Sequence, residues 1–501
     1  MASLILHGDL GKSSGPLDRQ LYVCPILTAT TSTLFEGVSP NVLPVAFVKE
    51  TIENLFENYP EAKSLKVINF SVGDGSRPLD YFPSPLARLL DWLSVKYNIL
   101  FIVSAGNCTQ EFPYTANQSQ DEIIRESVTH IANDIRNRKI LSPAESMNAL
   151  TVGALHADES DSHCVGDLVD VFPGTNYPSP ISSVGFGFRR SIKPDILFPG
   201  GRQFYICKRN LQGNLNATVG IPKSNRFGQV VASVGTTGGD LTKLVKTTGT
   251  SNAAALASRC ASQLYSLIEE VKVNPEFKGI EDKFIPILLK AMLVHGARWP
   301  QTLRTFESIL MTRENQRQFR EYVSRFLGYG CPPAENPFIQ NDHKATMIGW
   351  GTVKTDEIDT FSVPLPVCVS GKKIWKRLTI TLAYFTPTHP GHRAYRRCAV
   401  TFAPNHAMLK VVRKNADWNA SQRGTVQHEI FEGENAVAFK RGDNLAVSIA
   451  NRQTAGDLDE SIDYALLVTL ETEDGHKLPV WQEISDLLVE IRNKLKLKQK
   501  V

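Results

Sequence analysis

From about residue 20 to residue 300, short apolar runs alternate with helical stretches, and this alternation limits the possible folds more than any other feature. Leu21–Ile26 reads as a strand, Val45–Tyr59 as a helix and Leu65–Val72 as a second strand. Ser84–Tyr97 follows as a helix with Leu86, Leu89, Leu90 and Leu93 at helical spacing. Asn98–Ala105 is an almost continuous apolar run closed by a Gly-Asn turn, the pattern of a strand buried on both faces. Strands that alternate with helices build βαβ units. The expected fold class is therefore α/β, a mostly parallel sheet with helices on both faces. A polar insertion carries an amphipathic helix through Ile123, Ile124, Val128, Ile131 and Ile135, and Asn252–Ile268 and Phe284–His295 read as buried helices.

Beyond Gly328–Ile339, a stretch dense in Gly and Pro, the period changes to two. Leu378, Ile380, Leu382 and Tyr384 alternate with other residues, as do Leu445, Val447 and Ile449, and again Tyr464, Leu466, Val468 and Leu470. That spacing belongs to an all-β domain, an antiparallel sandwich. After Pro479 one amphipathic helix presents Trp481, Ile484, Leu488, Ile491 and Leu495. The expected division is an α/β domain over residues 1–335, a sandwich over 340–475 and a C-terminal helix over 478–501.

Composition narrows the function classes. Hydrophobic residues at 42% and charged residues at 21% are values of a globular chain, which excludes disorder as the main theme. Lys+Arg 55 against Asp+Glu 51 leaves +4, too little to imply nucleic acid by itself. Apolar stretches such as Asn98–Val103 fall far short of the roughly 20 residues of a membrane helix. The first residues show no secretory leader and read like the interior of an apolar helix. The eight cysteines have no metal-like spacing, so free thiols in a reducing, cytoplasmic compartment are expected. His389 and His392 lack a third ligand nearby and read as surface loop. The basic residues Lys372, Lys373, Lys376, Arg377, Arg396, Arg397, Lys410 and Arg413 read as a solvated sheet face.

Three stretches carry chemistry together: Ser104-Ala105-Gly106-Asn107, Lys193–Gly200, and Gly249-Thr250-Ser251 ahead of three alanines. The last puts a hydroxyl at a helix N-terminus, where unpaired N–H groups and the helix dipole favour negative charge. A nucleophile that attacks a carbonyl needs that setting, because an oxyanion develops beside it. Asn107, past the end of a central strand, is placed to donate its amide to the same oxyanion, since open α/β sheets keep their sites at that edge. Taken singly, Ser251 reads as a helix cap and Asn107 as a turn residue. Their conjunction in this order argues for a site.

These residues resemble the motifs of the subtilisin-like serine proteases, the subtilases. Gly249-Thr250-Ser251 looks like their nucleophile motif, Ser104–Asn107 like their oxyanion motif and Lys193–Gly200 like their KPDIxAPG signature. Val67–Gly73 is similar to their substrate strand, and Ser142-Pro143-Ala144 with Leu150–Ala154 also matches. Leu289–Ala297 looks like their late core helix. The resemblance covers residues 1–300 and implies an endopeptidase acting on a protein or peptide substrate. In it Ser251 is the nucleophile, Asn107 holds the oxyanion, Ser71, Gly73, Ser104 and Gly106 bind substrate, and Asp195 is structural. Calcium comes with the resemblance alone and has no support in the sequence; no other cofactor, metal or membrane is expected. Nucleic acid is disfavoured, and the sandwich is open to a partner protein.

One departure is Ala255, where the family usually has Pro. The larger one concerns the base. The family's triad needs an Asp and a His ahead of the Ser, and Met1–Ile5 matches the helix just after the His motif. The His is thereby expected about four residues before Met1, with the Asp further upstream. His7 would lie about ten residues past that position, nearly three helical turns away. His156, His163 and His295 read as loop or core. Three explanations follow: a chain that starts inside a longer protein, a non-catalytic relative that binds peptides, or a missing half supplied in trans. In the first, which is favoured, the 501-residue form itself is expected to be weakly active or inactive.

Overall fold

The computed structural model describes residues 1–488 except 13–14, 30–35, 40, 116, 160–167, 175, 210–212, 214, 220–226, 236–238, 274–279, 334–340 and 457–459. His163, Cys164, Ile491, Leu495 and residues 334–339 of the Gly/Pro-rich boundary lie outside the described residues. The chain divides into two compact units, Met1–Gly279 with Trp299–Cys331, and Ile280–Arg298 with Pro332–Val501.

In the first unit, α1 is Ala2–His7, α2 is Pro44–Asn58, β1 is Val67–Phe70, α3 is Pro85–Tyr97 and β2 is Leu100–Ser104. After them come α4 (Gln120–Asn133), β3 (Leu150–Leu155), β4 (Ile196–Pro199) and α5 (Thr250–Val273). The four strands form one parallel sheet in the order β4-β3-β2-β1. The apolar run of β2 lies centrally and is buried at every residue, as its composition requires. Ser84 caps α3 by accepting from the Ala87 N–H at 3.1 Å, and Ser119 with Glu122 forms a capping box on α4. α5 packs across all four strands, and Ala253, Ala254, Ala255 and Ala257, each 0% exposed, let it lie close. Leu21–Ile26, expected as a strand, carries none. Leu21 and Ile26 at its ends pack against two different apolar clusters, but Tyr22 and Val23 between them are 58% and 60% exposed and no described strand pairs with the run.

In the second unit, α6 (Ile285–His295) joins eight strands: β5 (Lys344–Val353), β6 (Ile358–Pro364), β7 (Lys376–Tyr384), β8 (Cys398–Pro404), β9 (Val412–Arg413), β10 (Val426–Gly433), β11 (Asn444–Gln453) and β12 (Ile462–Thr472). They make two antiparallel sheets, β5-β12-β7-β10-β9 and β6-β11-β8. Leu378, Ile380, Leu382, Leu466 and Val468 of one share a core with Val400, Leu445, Val447 and Ile449 of the other, so the period-two residues face inward as the spacing predicts. Residues 480–488 are helical, with Ile484 buried in the same core.

The alternate positions depart from expectation, since alternation predicts a solvated outer face. Thr379 and Thr381 are 0% exposed and Thr469 is 2% exposed, because α6, the helix compared above with a subtilase core helix, covers β7, β10 and β12. Under it runs a hydrogen-bonded chain whose polarity is fixed at one end. The Ala297 carbonyl can only accept, so His428 Nε2 donates to it at 3.1 Å. A neutral His428 then accepts at Nδ1 from Thr381 (2.7 Å), Thr381 accepts from His295 Nδ1 (2.8 Å), and His295 Nε2 accepts from Thr469 (2.6 Å). Burial keeps both rings neutral. It pushes His428 down to about 3 and His295 well below its ordinary value, and Arg298 adds to both shifts.

The basic cluster is a solvated face only in part: Lys372, Lys373 and Lys410 are exposed, while the others are drawn into the fold. Lys376 is 0% exposed with Nζ donating to the Asn435 carbonyl at 2.8 Å, and Arg377 bridges Glu432 and Glu471. Arg413 pairs with Glu429 at 2.7 Å. His389 and His392 are exposed, in line with the loop reading.

Candidate active site

Each strand of the parallel sheet hands the chain to a polar residue just past its carboxyl end: Ser71 after β1, Asn107 after β2, His156 after β3, and Gly200–Gln203 after β4. Such an edge is where an open α/β sheet leaves a crevice. The N-terminus of α5 meets it there.

Ser251 stands in the first turn of α5, where helical N–H groups lack the acceptor four residues back. Its hydroxyl donates to the Ser71 carbonyl at 3.4 Å, and the Ser71 hydroxyl lies 3.3 Å from the Ser251 carbonyl and 2.8 Å from Asn69 Oδ1. Asn69 in turn donates to Ser258, two turns along α5, at 3.0 Å. The substrate-strand candidate and the nucleophile helix are thus laced together. Gly73 is exposed two residues past Ser71.

Asn107 is oriented by Thr250. The Thr250 N–H donates to Asn107 Oδ1 at 2.9 Å and its hydroxyl donates to the same oxygen at 3.0 Å. The Thr250 oxygen accepts from the Gly106 N–H at 3.2 Å. A backbone N–H can only donate, so the amide oxygen is the atom that faces Thr250, and the NH2 end is left to point away. That end borders Gly249: a Cβ there would stand 3.1 Å from Asn107 Nδ2, and Gly249 has φ +141°. Gly106, at φ +105°, brings its backbone against Leu141, whose Cγ lies 2.5 Å from where a Cβ would be. Ser104 is 2% exposed at the end of β2, below this surface.

The turn ahead of α5 is braced from several sides. The Gly249 N–H donates to the Gly200 carbonyl at 2.8 Å, Asn252 Nδ2 to the Thr247 carbonyl at 2.9 Å, and the Thr248 hydroxyl to Gln203 Oε1 at 2.7 Å. Asp195 and Lys193, both 3% exposed, pair at 2.6 Å. Asp195 also accepts from the Thr151 N–H and Lys193 donates to the Ala149 carbonyl, so the pair pins β4 to β3 and has no side chain in the crevice.

No histidine bonds to the Ser251 hydroxyl among the described residues. His7 ends α1. The carbonyls of that last turn, Ile5 and Leu6, accept from Arg259, eight residues or about 12 Å along α5 from Ser251. His156 is 0% exposed with both ring nitrogens engaged, Nδ1 accepting from the Gln203 N–H at 3.2 Å and Nε2 donating to Asp170 at 2.9 Å. Burial raises the Asp170 carboxyl, but the His156 bond and the Arg202 guanidinium outweigh it and hold the group below its ordinary range. His295 lies in the second unit, under its sheet. Sequence reasoning missed Thr250, Asn69 and Gln203 as positioning groups. The first two stood inside quoted motifs, but their partners lie 143 and 189 residues away.

Among the described residues no cluster of three or more His, Cys, Asp or Glu is placed to hold a metal ion, and no helix is long and apolar enough to cross a membrane.

The uncharacterized protein y4bN of Sinorhizobium fredii (strain NBRC 101917 / NGR234) is 25% identical over 362 residues, 71% of this chain and 74% of that protein. Among solved structures, the prenylagaramide maturation protease PagA matches 58% of this chain and 66% of its own, just under two thirds, at 17% identity and TM-score 0.30. MycP1 from the ESX-1 type VII secretion system matches 58% of this chain and 56% of its own, at 18% identity and TM-score 0.27. A sequence profile described as the subtilase family, peptidase S8, matches residues 40–330, more than half of the chain and every strand of the parallel sheet. The chain belongs to the subtilase family.

Proposed function

We propose that the protein is a serine endopeptidase in which Ser251 attacks a peptide carbonyl. The oxyanion is held by Asn107 Nδ2 and the Ser251 N–H. The single observation that carries this reading is Asn107. Two Thr250 donors converge on its amide oxygen, which commits the NH2 end to the Gly249 side, next to Ser251. A donor fixed before reaction needs no reorganisation when charge develops, which is what makes such a group effective. The peptide would lie along Ser71–Gly73, whose backbone runs beside the α5 N-terminus. Ser104 and Gly106 support this surface from beneath. The hydroxyl proton passes to a base that is not among the described partners of Ser251.

A second reading has its own observation. The Ser251 hydroxyl is engaged with the Ser71 carbonyl and with no imidazole among the described residues, as in a module that binds peptides without cleaving them. Turnover of a fluorogenic peptide library by the wild-type protein, abolished in Ser251→Ala, supports the peptidase. Peptide binding that is equal in both proteins, with no cleavage by either, supports the binding module.

A further inference from the structure

His156 and Asp170 form a buried pair that no step above uses, and what they hold is more informative than the pair itself. With Nε2 donating to Asp170, the ring must accept at Nδ1, and the donor is the Gln203 main-chain N–H. Arg202, the preceding residue, grips the other Asp170 oxygen at 2.8 Å. Two successive residues past the end of β4 are therefore fixed by one carboxylate and its imidazole. The Gln203 side chain, 2% exposed, donates from Nε2 to the Phe204 carbonyl at 2.7 Å, so its oxygen is turned the other way, onto the Thr248 hydroxyl.

We propose that Gln203, set in place by the His156–Asp170 pair, is a positioning residue for Ser251 that acts through its hydrogen bond to Thr248. The inference rests on the peptidase reading above. Thr248 lies three residues before Ser251. The backbone of Gly201 and Gly228 packs against the Thr248 methyl group: Cβ atoms built there would come within 3.0 Å and 2.9 Å of Thr248 Cγ2. The other braces of this turn come from Gly200, Asn107 and Asn252. Gln203 carries the His156–Asp170 geometry into it directly, through one side-chain bond, while Arg202 reaches the turn indirectly through Asp158, which accepts from the Arg202 N–H at 2.7 Å and the Gly228 N–H at 3.1 Å. A nucleophile displaced by about 1 Å can lose on the order of 100-fold in rate while its binding surface stays intact.

Thr248→Val in the full chain keeps the Cγ2 contacts and removes only the donor, and Thr248→Ser keeps the donor. The readout is covalent labelling of Ser251 by a peptidyl diphenyl phosphonate, resolved into reversible affinity and rate of adduct formation. Thr248→Val and Gln203→Met are each expected to slow adduct formation about tenfold with affinity unchanged, and Thr248→Ser to stay near wild type. The double variant is expected to be no slower than either single one, because the two residues act as one unit. Thr248→Val labelling at the wild-type rate, Thr248→Ser as slow as Thr248→Val, or additive losses would each overturn the inference while leaving the peptidase reading standing. No labelling of the wild-type protein would remove that reading and this one with it.

Discussion

In the first unit the polar residues gather past the carboxyl ends of a parallel sheet; in the second they stand in the middle of a sheet face, under α6. The residue types overlap. His156, Asp170 and Thr250 serve one region, and His295, His428, Thr381 and Thr469 the other. In the second unit the described chain of bonds runs from one side chain to the next and ends on the Ala297 carbonyl, with every member sealed. In the first it ends on an exposed amide and a half-buried hydroxyl, Asn107 and Ser251. What separates the two networks is position, an edge against a face.

The comparison can be broken or sharpened by experiment. The largest effect is expected from Asp195→Asn, which leaves the Lys193 ammonium buried without its counter-charge. Removing one partner of such a pair costs about 3–5 kcal/mol. Peptide-resolved hydrogen exchange should show β3 and β4 losing protection while β7 and β12 keep theirs. Equal loss in both units would contradict the division.

Acid should act the other way round. His295 and His428 are neutral when folded and titrate near 6.5 when unfolded, so unfolding takes up protons below that pH. The stability they lend is complete above 6.5 and is lost as pH falls below it, by at most about 1.4 kcal/mol per pH unit for His428 down to about 3, with His295 adding to the loss in the same direction. Exchange in β7, β10 and β12 should accelerate first on acidification, and His428→Leu should flatten that dependence.

Thr381→Val is expected to cost about 1–3 kcal/mol, since it removes the hydroxyl that donates to His428 Nδ1 and accepts from His295 Nδ1. Urea unfolding of the second unit measures it, and a change near zero would mean the chain of bonds is not what holds α6. At the small end, Lys12→Ala removes an exposed pair with Glu159 and should leave the stability of the first unit within about 0.5 kcal/mol of wild type in urea unfolding.

Much of the first unit was legible in the sequence because each signal was local. The apolar run of β2, the cap at Ser84 and the Gly-Thr-Ser turn all act within a few residues. The strand expected at Leu21–Ile26 failed for the converse reason, because composition suits a strand but pairing needs a neighbour. In the second unit the alternation located the core face correctly and said nothing of what covers the other face. His295, the last residue of α6, bonds to Thr381, 86 residues further along, and only the folded chain shows that a helix seals those threonines. The candidate site had the same limit. Ser251 and Asn107 stood out by motif, while the bonds that orient them, through Thr250 and through Gln203 to Thr248, join segments far apart in the chain.

The measurement that bears most directly on the site is the rate at which a peptidyl diphenyl phosphonate modifies Ser251 in the wild-type protein and in Asn107→Ala, located by mass spectrometry. An adduct on Ser251 that forms about 100- to 1,000-fold more slowly without the Asn107 amide is the expected result. Equal rates in the two proteins, or an adduct on another residue, would contradict it.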